Sequence, residues 1–180
     1  MLRVGVNARH LGTAAAIPMA ISVGLAGGLR SDLKPGTVVI ATELALGEAK
    51  RVTCDAHWLE TLADAAHALA LPTVRGPIVT LADMTVGASR ERWAQQGFTA
   101  VDMESAHVAH RAERVAAVRV VLDSPAHELS ALWRTPWRAA LDPRCWAEAL
   151  WLAAHAPRFA LRAADVLGRA LLNHEIDSEV

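Results

Sequence analysis

The chain has 180 residues, of which 53% are hydrophobic and 21% are charged, and its formal net charge is −1. This length and composition supply enough apolar surface for a core, which excludes an intrinsically disordered protein and favours one domain over residues 1–180. Because the charge is near neutral, no overall field attracts nucleic acid, and we expect no nucleic-acid partner.

The cysteines and the N-terminus bear on metal binding and on location. Cys54 and Cys145 lie far apart and lack the close cysteine or histidine spacing of a zinc site, so we expect reduced thiols and no metal. The first residues of the chain lack the apolar region of about 7–15 residues that a secretory signal requires. No stretch reaches the roughly 18 consecutive apolar residues of a membrane helix. The sequence therefore predicts a cytoplasmic protein.

Short apolar runs rich in β-branched residues alternate with helical patterns along the chain, which predicts an α/β domain whose sheet is covered on both faces. The predicted strands lie near residues 2–6, 19–25, 37–42, 77–81, 99–103 and 117–123. The predicted helices lie near residues 56–70, 88–96, 104–114, 143–155 and 158–173.

The strand near residues 19–25 runs into three closely spaced glycines, Gly24, Gly27 and Gly28. Glycines let backbone amides approach a ligand closely, and a Pro-Gly turn at residues 35–36 then leads into the next strand. Taken alone, the pattern is more often an ordinary turn than a binding loop.

Further along, residues 78–84 run off a strand into a loop that ends on Asp83 and Met84. Methionine is polarisable and adaptable, so Met84 suits the wall of a flat pocket and the core equally well. Asp83 is also consistent with a simple turn residue.

The apolar run at residues 99–103 ends on Met103 and Glu104, where a helix is predicted to begin. A carboxylate at the N-terminal end of a helix lies in a favourable dipole field, which keeps Glu104 ionised and able to accept hydrogen bonds from hydroxyl groups. The alternative is that Asp102 or Glu104 only caps the helix that follows.

A second carboxylate, that of Asp123, ends the apolar strand predicted near residues 117–123, just before Pro125. In α/β folds, ligand groups lie at the ends of strands, and partial burial there would raise the pKa of Asp123 towards neutrality. From the residues alone, a turn-capping role for Asp123 is the more frequent one.

The helical region at about residues 131–173 differs in composition from the rest. Residues 131–172 hold six arginines against three acidic residues, together with four of the six tryptophans: Trp133, Trp137, Trp146 and Trp151. Such helices could form the mouth of a pocket for a lipid-like substituent, or rest transiently on an anionic membrane surface. They could equally pack on the sheet or form a dimer interface, and we expect a homo-oligomer. The prolines of this region are expected to interrupt the helices: Pro136, Pro143 and Pro157.

Four segments, taken in order, resemble the nucleoside phosphorylase and nucleosidase superfamily, which includes methylthioadenosine/S-adenosylhomocysteine nucleosidase. They are the glycine-rich turn at residues 24–29, the strand start at 35–39, the Val-Asp-Met-Glu-Ser segment at 101–105 and the Arg-Val-Val-Leu-Asp segment at 119–123. Leu25, together with the Asp-Met-Glu-Ser run, is most similar to the branch associated with hopanoid lipid biosynthesis, which removes adenine from adenosylhopane.

The resemblance implies a three-layer α/β/α fold with a central mixed, partly barrel-like sheet, and cleavage of a purine N-glycosidic bond without a cofactor. In such a reaction Asp123 would be the catalytic residue, because a proton delivered to the purine N7 improves the leaving group. Glu104 would bind the ribose hydroxyls, with Met103 packed on the sugar and Met84 near the purine. The backbone around Ala26, Gly27 and Gly28 would lie near the nucleophile, which is either water or inorganic phosphate as a co-substrate.

One part of the family pattern has no counterpart. In the hydrolases, a glutamate in the first loop helps to position the attacking water, but here the first acidic residue is Asp32. The phosphorylases have an arginine near the position of Ser22. Two alternatives to adenosylhopane cleavage therefore stay open: a methylthioadenosine/S-adenosylhomocysteine-type nucleosidase, and a catalytically inactive nucleoside-binding or assembly subunit.

Overall fold

The computed structural model of the protein describes residues 17–135, 139 and 141–178. The strands are β1 (Ile17–Gly28), β2 (Val38–Leu46), β3 (Val52–Thr53), β4 (Thr73–Thr80), β5 (Ala100–Asp102) and β6 (Ala112–Asp123). The α-helices are α1 (Ala56–Ala68), α2 (Ala88–Gln95), α3 (Ser105–Ala109) and α4 (Trp146–Ser178), and two short 3-10 helices span Ala131–Arg134 and Pro143–Cys145.

The six strands form one mixed sheet in the order β3-β2-β4-β5-β1-β6. β6 also pairs antiparallel with β2, through Val38–Ile40 against Val118–Val120, so that five of the strands close into a ring. The pairs β1–β6, β2–β4 and β4–β5 are parallel, whereas β1–β5 is antiparallel. The predicted α/β fold with a mixed, partly barrel-like sheet is confirmed.

Apolar side chains fill both faces of this sheet. Outside the ring, Val38, Ile40 and Val118 pack against α1 and α4 in a cluster that includes Trp58 and Phe159. A second cluster contains the alternate strand residues, among them Val39, Leu44, Ile78, Ala117 and Val121. Burial on both faces explains why β2 and β6 are nearly continuous apolar runs.

Five predicted strands correspond to β1, β2, β4, β5 and β6, and the first two predicted helices correspond to α1 and α2. The predicted strand near residues 2–6 lies outside the described residues. The helix predicted at 104–114 is wrong in its second half, because α3 ends at Ala109 and β6 begins at Ala112. Pairing with β1 from Ile17 onward draws this segment into the sheet, which overrides its local helical pattern.

The C-terminal prolines also behave differently from expectation. α4 is one helix with Pro157 inside it. The helical structure predicted for most of 143–155 and for 158–173 is therefore confirmed, whereas the predicted break at Pro157 is wrong. Proline removes one backbone hydrogen bond, but Trp151 and Phe159 on either side of it both pack on the core and hold the helix in place. Pro143 begins a 3-10 helix, and Pro136 lies outside the described residues. In the part of the chain that the structure describes, no helix is long and apolar enough to cross a bilayer.

Candidate active site

A cavity of about 630 Å³ opens where β1, β5 and β6 end and where the loop after β4 passes over them. Its volume is in the range of small-molecule sites. The lining residues are Leu25, Ala26, Gly27, Asp83, Met84, Thr85, Arg90, Val101, Asp102, Met103, Glu104, Leu122, Asp123, Leu129, Trp133 and Leu152.

Six of the seven predicted site residues line this cavity, although they come from four separate segments of the chain: Ala26, Gly27, Met84, Met103, Glu104 and Asp123. Gly28 is not among the lining residues. Its carbonyl oxygen instead accepts a hydrogen bond of 3.0 Å from Nη1 of Arg90. The two carboxylates on which the sequence-based mechanism depends therefore face one space, while their roles stay predictions.

Asp123 is the last residue of β6 and is 5% exposed. Its Oδ2 accepts a hydrogen bond of 2.5 Å from Nη2 of Arg90, whose side chain is 2% exposed. Burial raises the pKa of Asp123 above its usual value, although Arg90 and the backbone N–H of Leu129 act in the opposite direction. The side chain thus combines a raised pKa with a position on the cavity wall, which is the environment of a proton donor.

Sequence reasoning missed Arg90. It lies in α2, where the local run Ser-Arg-Glu-Arg at residues 89–92 is wholly polar and is typical of a solvated helix. The guanidinium is nevertheless buried, because it donates to the carbonyl oxygens of Thr85 and Gly28 as well as to Asp123. No local pattern marks this arginine, since its three partners come from different segments.

At the start of α3, the capping role belongs to Asp102 and not to Glu104. The carboxylate of Asp102 accepts hydrogen bonds from the backbone N–H of Ser105 and from Oγ1 of Thr80, the latter at 2.6 Å. Glu104 occupies the N-cap position without a side-chain capping bond, and its side chain is 26% exposed. The capping alternative for Glu104 is therefore wrong. Glu104 lines the cavity, and its Oε2 lies 3.8 Å from Nη2 of Arg119.

Asp102 is also paired with Arg119 inside the barrel. Nε of Arg119 donates to Oδ2 of Asp102 at 2.7 Å, and Nη2 donates to the hydroxyl groups of Ser22 and Ser105 at 2.8 Å. Burial alone would raise the pKa of Asp102, but the charge of Arg119 and the hydrogen bonds from Ser105 and Thr80 outweigh it and lower the pKa. The surroundings of this pair thus favour the ionised form of Asp102.

The C-terminal region contributes the apolar side of the cavity. Trp133 and Leu152 line it together with Leu129. The indole Nε1 of Trp133 donates to Oε2 of Glu148 at 2.6 Å, which fixes the 3-10 segment on the first turn of α4. Of the other tryptophans, Trp151 packs against the core and Trp146 is exposed, while Trp137 lies outside the described residues.

Comparisons with known proteins agree with this geometry. The family model described as "Phosphorylase superfamily" matches residues 6–138. No curated protein matches the chain in sequence.

Solved structures share the fold at low sequence identity. Futalosine hydrolase of Helicobacter pylori superposes with a TM-score of 0.65 at 16% identity, over 85% of this chain and 67% of that one. The 5'-methylthioadenosine/S-adenosylhomocysteine nucleosidase of Neisseria meningitidis was solved in complex with methylthio-immucillin-A. It superposes with a TM-score of 0.62 at 21% identity, over 84% of this chain and 68% of that one. At these identities the likeness establishes the architecture alone.

Proposed function

Since the chain belongs to the phosphorylase superfamily, we propose that it cleaves the N-glycosidic bond of an adenine nucleoside. The observation that carries this proposal is the meeting of Asp123 and Glu104 in one cavity, because these two carboxylates supply different parts of the chemistry. Two similar solved structures are of a futalosine hydrolase and a methylthioadenosine/S-adenosylhomocysteine nucleosidase.

Asp123 is the general acid in this proposal. As the bond between the ribose C1′ and the purine N9 breaks, its electron pair moves onto the purine, and the proton of Asp123 passes to N7. Proton transfer of this kind contributes about 10²–10⁴-fold to a rate. A buried carboxyl group whose pKa is raised carries that proton closer to neutral pH than an exposed one does.

Glu104 holds the sugar. Hydrogen bonds from ribose hydroxyl groups to a carboxylate strengthen as positive charge develops on the ribose, as they do at the 2-OH in glycosidases. The partly exposed side chain of Glu104 lies on the cavity wall next to Met103, which packs on the sugar. Met84 contacts the purine, and the backbone of Ala26 and Gly27 lies on the side where the nucleophile enters.

The charges around the cavity favour water over phosphate as the nucleophile. Among the described lining residues, Asp83 and Glu104 carry negative charge in this proposal, because Asp123 is protonated and Asp102 is neutralised by Arg119. The one cation among them, Arg90, is already bound to Asp123. Such a lining repels a phosphate anion. Water therefore adds to C1′ and loses a proton to solvent, and Asp123 is reprotonated from solvent.

For the substrate, we propose adenosylhopane, in which the ribose carries a large apolar substituent. The cavity has a continuous apolar side that accepts such a group: Leu25, Leu122, Leu129, Trp133 and Leu152. A small thioadenosine is the second candidate, because a short thioether needs only part of the same apolar side. An inactive binding subunit is the third, and it would bind a nucleoside without releasing the base.

Adenine release tests the proposal. Purified protein is incubated with adenosylhopane or methylthioadenosine, each with and without inorganic phosphate, and the free base is followed by chromatography. We expect release without phosphate, and a loss of about 10²–10⁴-fold in Asp123→Asn because the proton donor is gone.

The matched control is Asp32→Asn, which changes an exposed aspartate and should leave the rate unchanged. Release that requires phosphate would contradict hydrolysis. Nucleoside binding without release from either substrate would identify an inactive binding subunit.

A further inference from the structure

The guanidinium of Arg90 lies between two carboxylates. Besides its 2.5 Å hydrogen bond to Oδ2 of Asp123, its Nε is 3.4 Å from Oε1 of Glu128, in the loop after β6. Its remaining donors bind the backbone carbonyl oxygens of Gly28 and Thr85. One buried positive charge is thus shared by two acidic side chains.

The two carboxylates differ in how easily they hold a negative charge. The side chain of Glu128 is 34% exposed, whereas that of Asp123 is 7% exposed. Oε1 of Glu128 also accepts a 2.8 Å hydrogen bond from the backbone N–H of Gly87, the residue that caps the N-terminus of α2. Solvent, this hydrogen bond and the helix dipole all stabilise the ionised form of Glu128.

The charge balance then decides which group carries a proton. With both carboxylates ionised, the three side chains carry a net charge of −1 in a largely buried place, which desolvation disfavours. With Asp123 protonated and Glu128 ionised, the set is neutral. Oδ2 of protonated Asp123 remains an acceptor for Arg90, so that the proton resides on Oδ1 and the hydrogen bond from Arg90 is kept.

We propose that Glu128 is a positioning residue that keeps Asp123 protonated by sharing the charge of Arg90. The inference rests on the proposed function, since it explains how an aspartate paired with an arginine can act as an acid. Before the reaction Glu128 neutralises Arg90. When Asp123 gives its proton to N7, the hydrogen bond between Arg90 and Asp123 becomes an ion pair and stabilises the new carboxylate.

Other charged groups that face the cavity do not set the protonation of Asp123. Asp102 is committed to Arg119 inside the barrel, and Asp83 and Glu104 lie on the wall together with Asp123. From the loop after β6, the ring of His127 packs on Trp151. The burial of Asp123, the backbone N–H of Leu129 and the charges of Arg90 and Glu128 together govern its proton.

The direct test is the titration of Asp123 without substrate. In protein labelled with ¹³C at aspartate carboxyl carbons, Asp123 is assigned as the signal absent from Asp123→Asn. In Glu128→Gln the full charge of Arg90 acts on Asp123, and we expect its midpoint to fall by about one pH unit. Glu128→Asp keeps a carboxylate but moves it away from Arg90. The midpoint of Asp123 in this variant should therefore lie between those of wild type and Glu128→Gln.

The matched control is Glu91→Gln, which removes a negative charge from an exposed position on the same helix α2 and should leave the midpoint of Asp123 unchanged. Adenine release from methylthioadenosine supplies the second measurement. Activity is lost as pH rises through the pKa of the acid, so the alkaline limb of kcat/KM in Glu128→Gln should move to lower pH by the same amount.

An Asp123 midpoint in Glu128→Gln and Glu128→Asp equal to that of wild type would overturn the role of Glu128. This result is independent of the proposed function, because the titration needs no substrate. A wild-type protein that releases no adenine, but whose Asp123 midpoint falls in Glu128→Gln, would contradict the nucleosidase proposal and still support the sharing of Arg90.

Discussion

Two buried arginine–aspartate pairs lie close together in this protein, one inside the barrel and one on the cavity wall. In both pairs the arginine side chain is 2% exposed, and the hydrogen bond to the aspartate is 2.7 Å for Arg119–Asp102 and 2.5 Å for Arg90–Asp123. The effect on the acid is nevertheless opposite, since the pKa of Asp102 is lowered and that of Asp123 is raised.

The partners around each pair explain the difference. Asp102 also accepts hydrogen bonds from Thr80 and Ser105, all of which favour the carboxylate. Both arginines approach a second carboxylate, since Arg90 lies 3.4 Å from Glu128 and Arg119 lies 3.8 Å from Glu104. The other donors of Arg90 go to backbone carbonyl oxygens, so they add no hydrogen bond to Asp123. An arginine beside an aspartate therefore does not define a structural ion pair, because the number of other donors and competing acceptors decides whether the acid stays ionised.

The largest expected effect comes from breaking the barrel pair. Asp102→Asn leaves Arg119 buried with only the more distant and partly exposed Glu104 as a carboxylate partner, and it removes the ionised acceptor for Thr80 and Ser105. The free energy of unfolding should therefore fall by about 3–5 kcal/mol. Asp123→Asn should cost only about 1 kcal/mol or less, because Glu128 still neutralises Arg90. Urea unfolding at neutral pH measures both variants. Equal losses would show that the two pairs play the same structural role.

The same comparison predicts a pH dependence. Because the pKa of Asp102 is lower in the folded protein, its contribution to stability is present above the unfolded pKa and is lost as pH falls through the folded value. Asp102→Asn should therefore remove part of the acid sensitivity of wild-type unfolding. The exposed pair Arg30–Asp32 provides the reference, since Asp32→Asn should change stability little.

Alanine substitutions at two glycines sharpen the comparison, because each adds one methyl group beside one of the two pairs. A Cβ on Gly24 would clash with Nη1 of Arg119, whereas a Cβ on Gly27 would lie 3.1 Å from Oδ1 of Asp123. Gly24→Ala displaces the guanidinium from its hydrogen bonds and should cost about 1–3 kcal/mol of unfolding free energy.

Gly27→Ala should cost less stability and should mainly lower kcat, because the added methyl crowds the oxygen that holds the proton. Thermal unfolding and adenine release, measured on both variants, separate the two effects. The reverse ranking, with Gly27→Ala the less stable protein and Gly24→Ala the less active one, would contradict the assignment of the pairs.

The smallest effect is expected at the apolar side of the cavity, away from both pairs. Trp133→Phe keeps an aromatic ring but removes the hydrogen bond to Glu148, which should cost about 1 kcal/mol and loosen the segment over the cavity. The expected result is a several-fold higher KM for adenosylhopane with kcat nearly unchanged. A fall in kcat without a change in KM would place Trp133 in the chemistry instead of at the substituent.

The sequence was informative wherever a local pattern carries the structure. Apolar β-branched runs identified β1, β2, β4, β5 and β6, because burial on both faces imposes that composition on each strand separately. Motifs at the ends of those strands identified six residues of the cavity, since each motif joins a strand to the loop that turns over the sheet.

Tertiary structure decided which side chains meet. Three features of the fold depend on distant partners. They are the β2–β6 pairing that closes the ring, the start of β6 at Ala112, and the continuation of helix α4 across Pro157. Arg90 comes from a polar helix and Glu128 from a loop, so neither carries a local signal. Hydrophobic periodicity in the sequence indicates which face of an element is buried. The partner of a charged side chain depends instead on where separate elements end in space. The chemistry proposed for Asp123 depends on such partners.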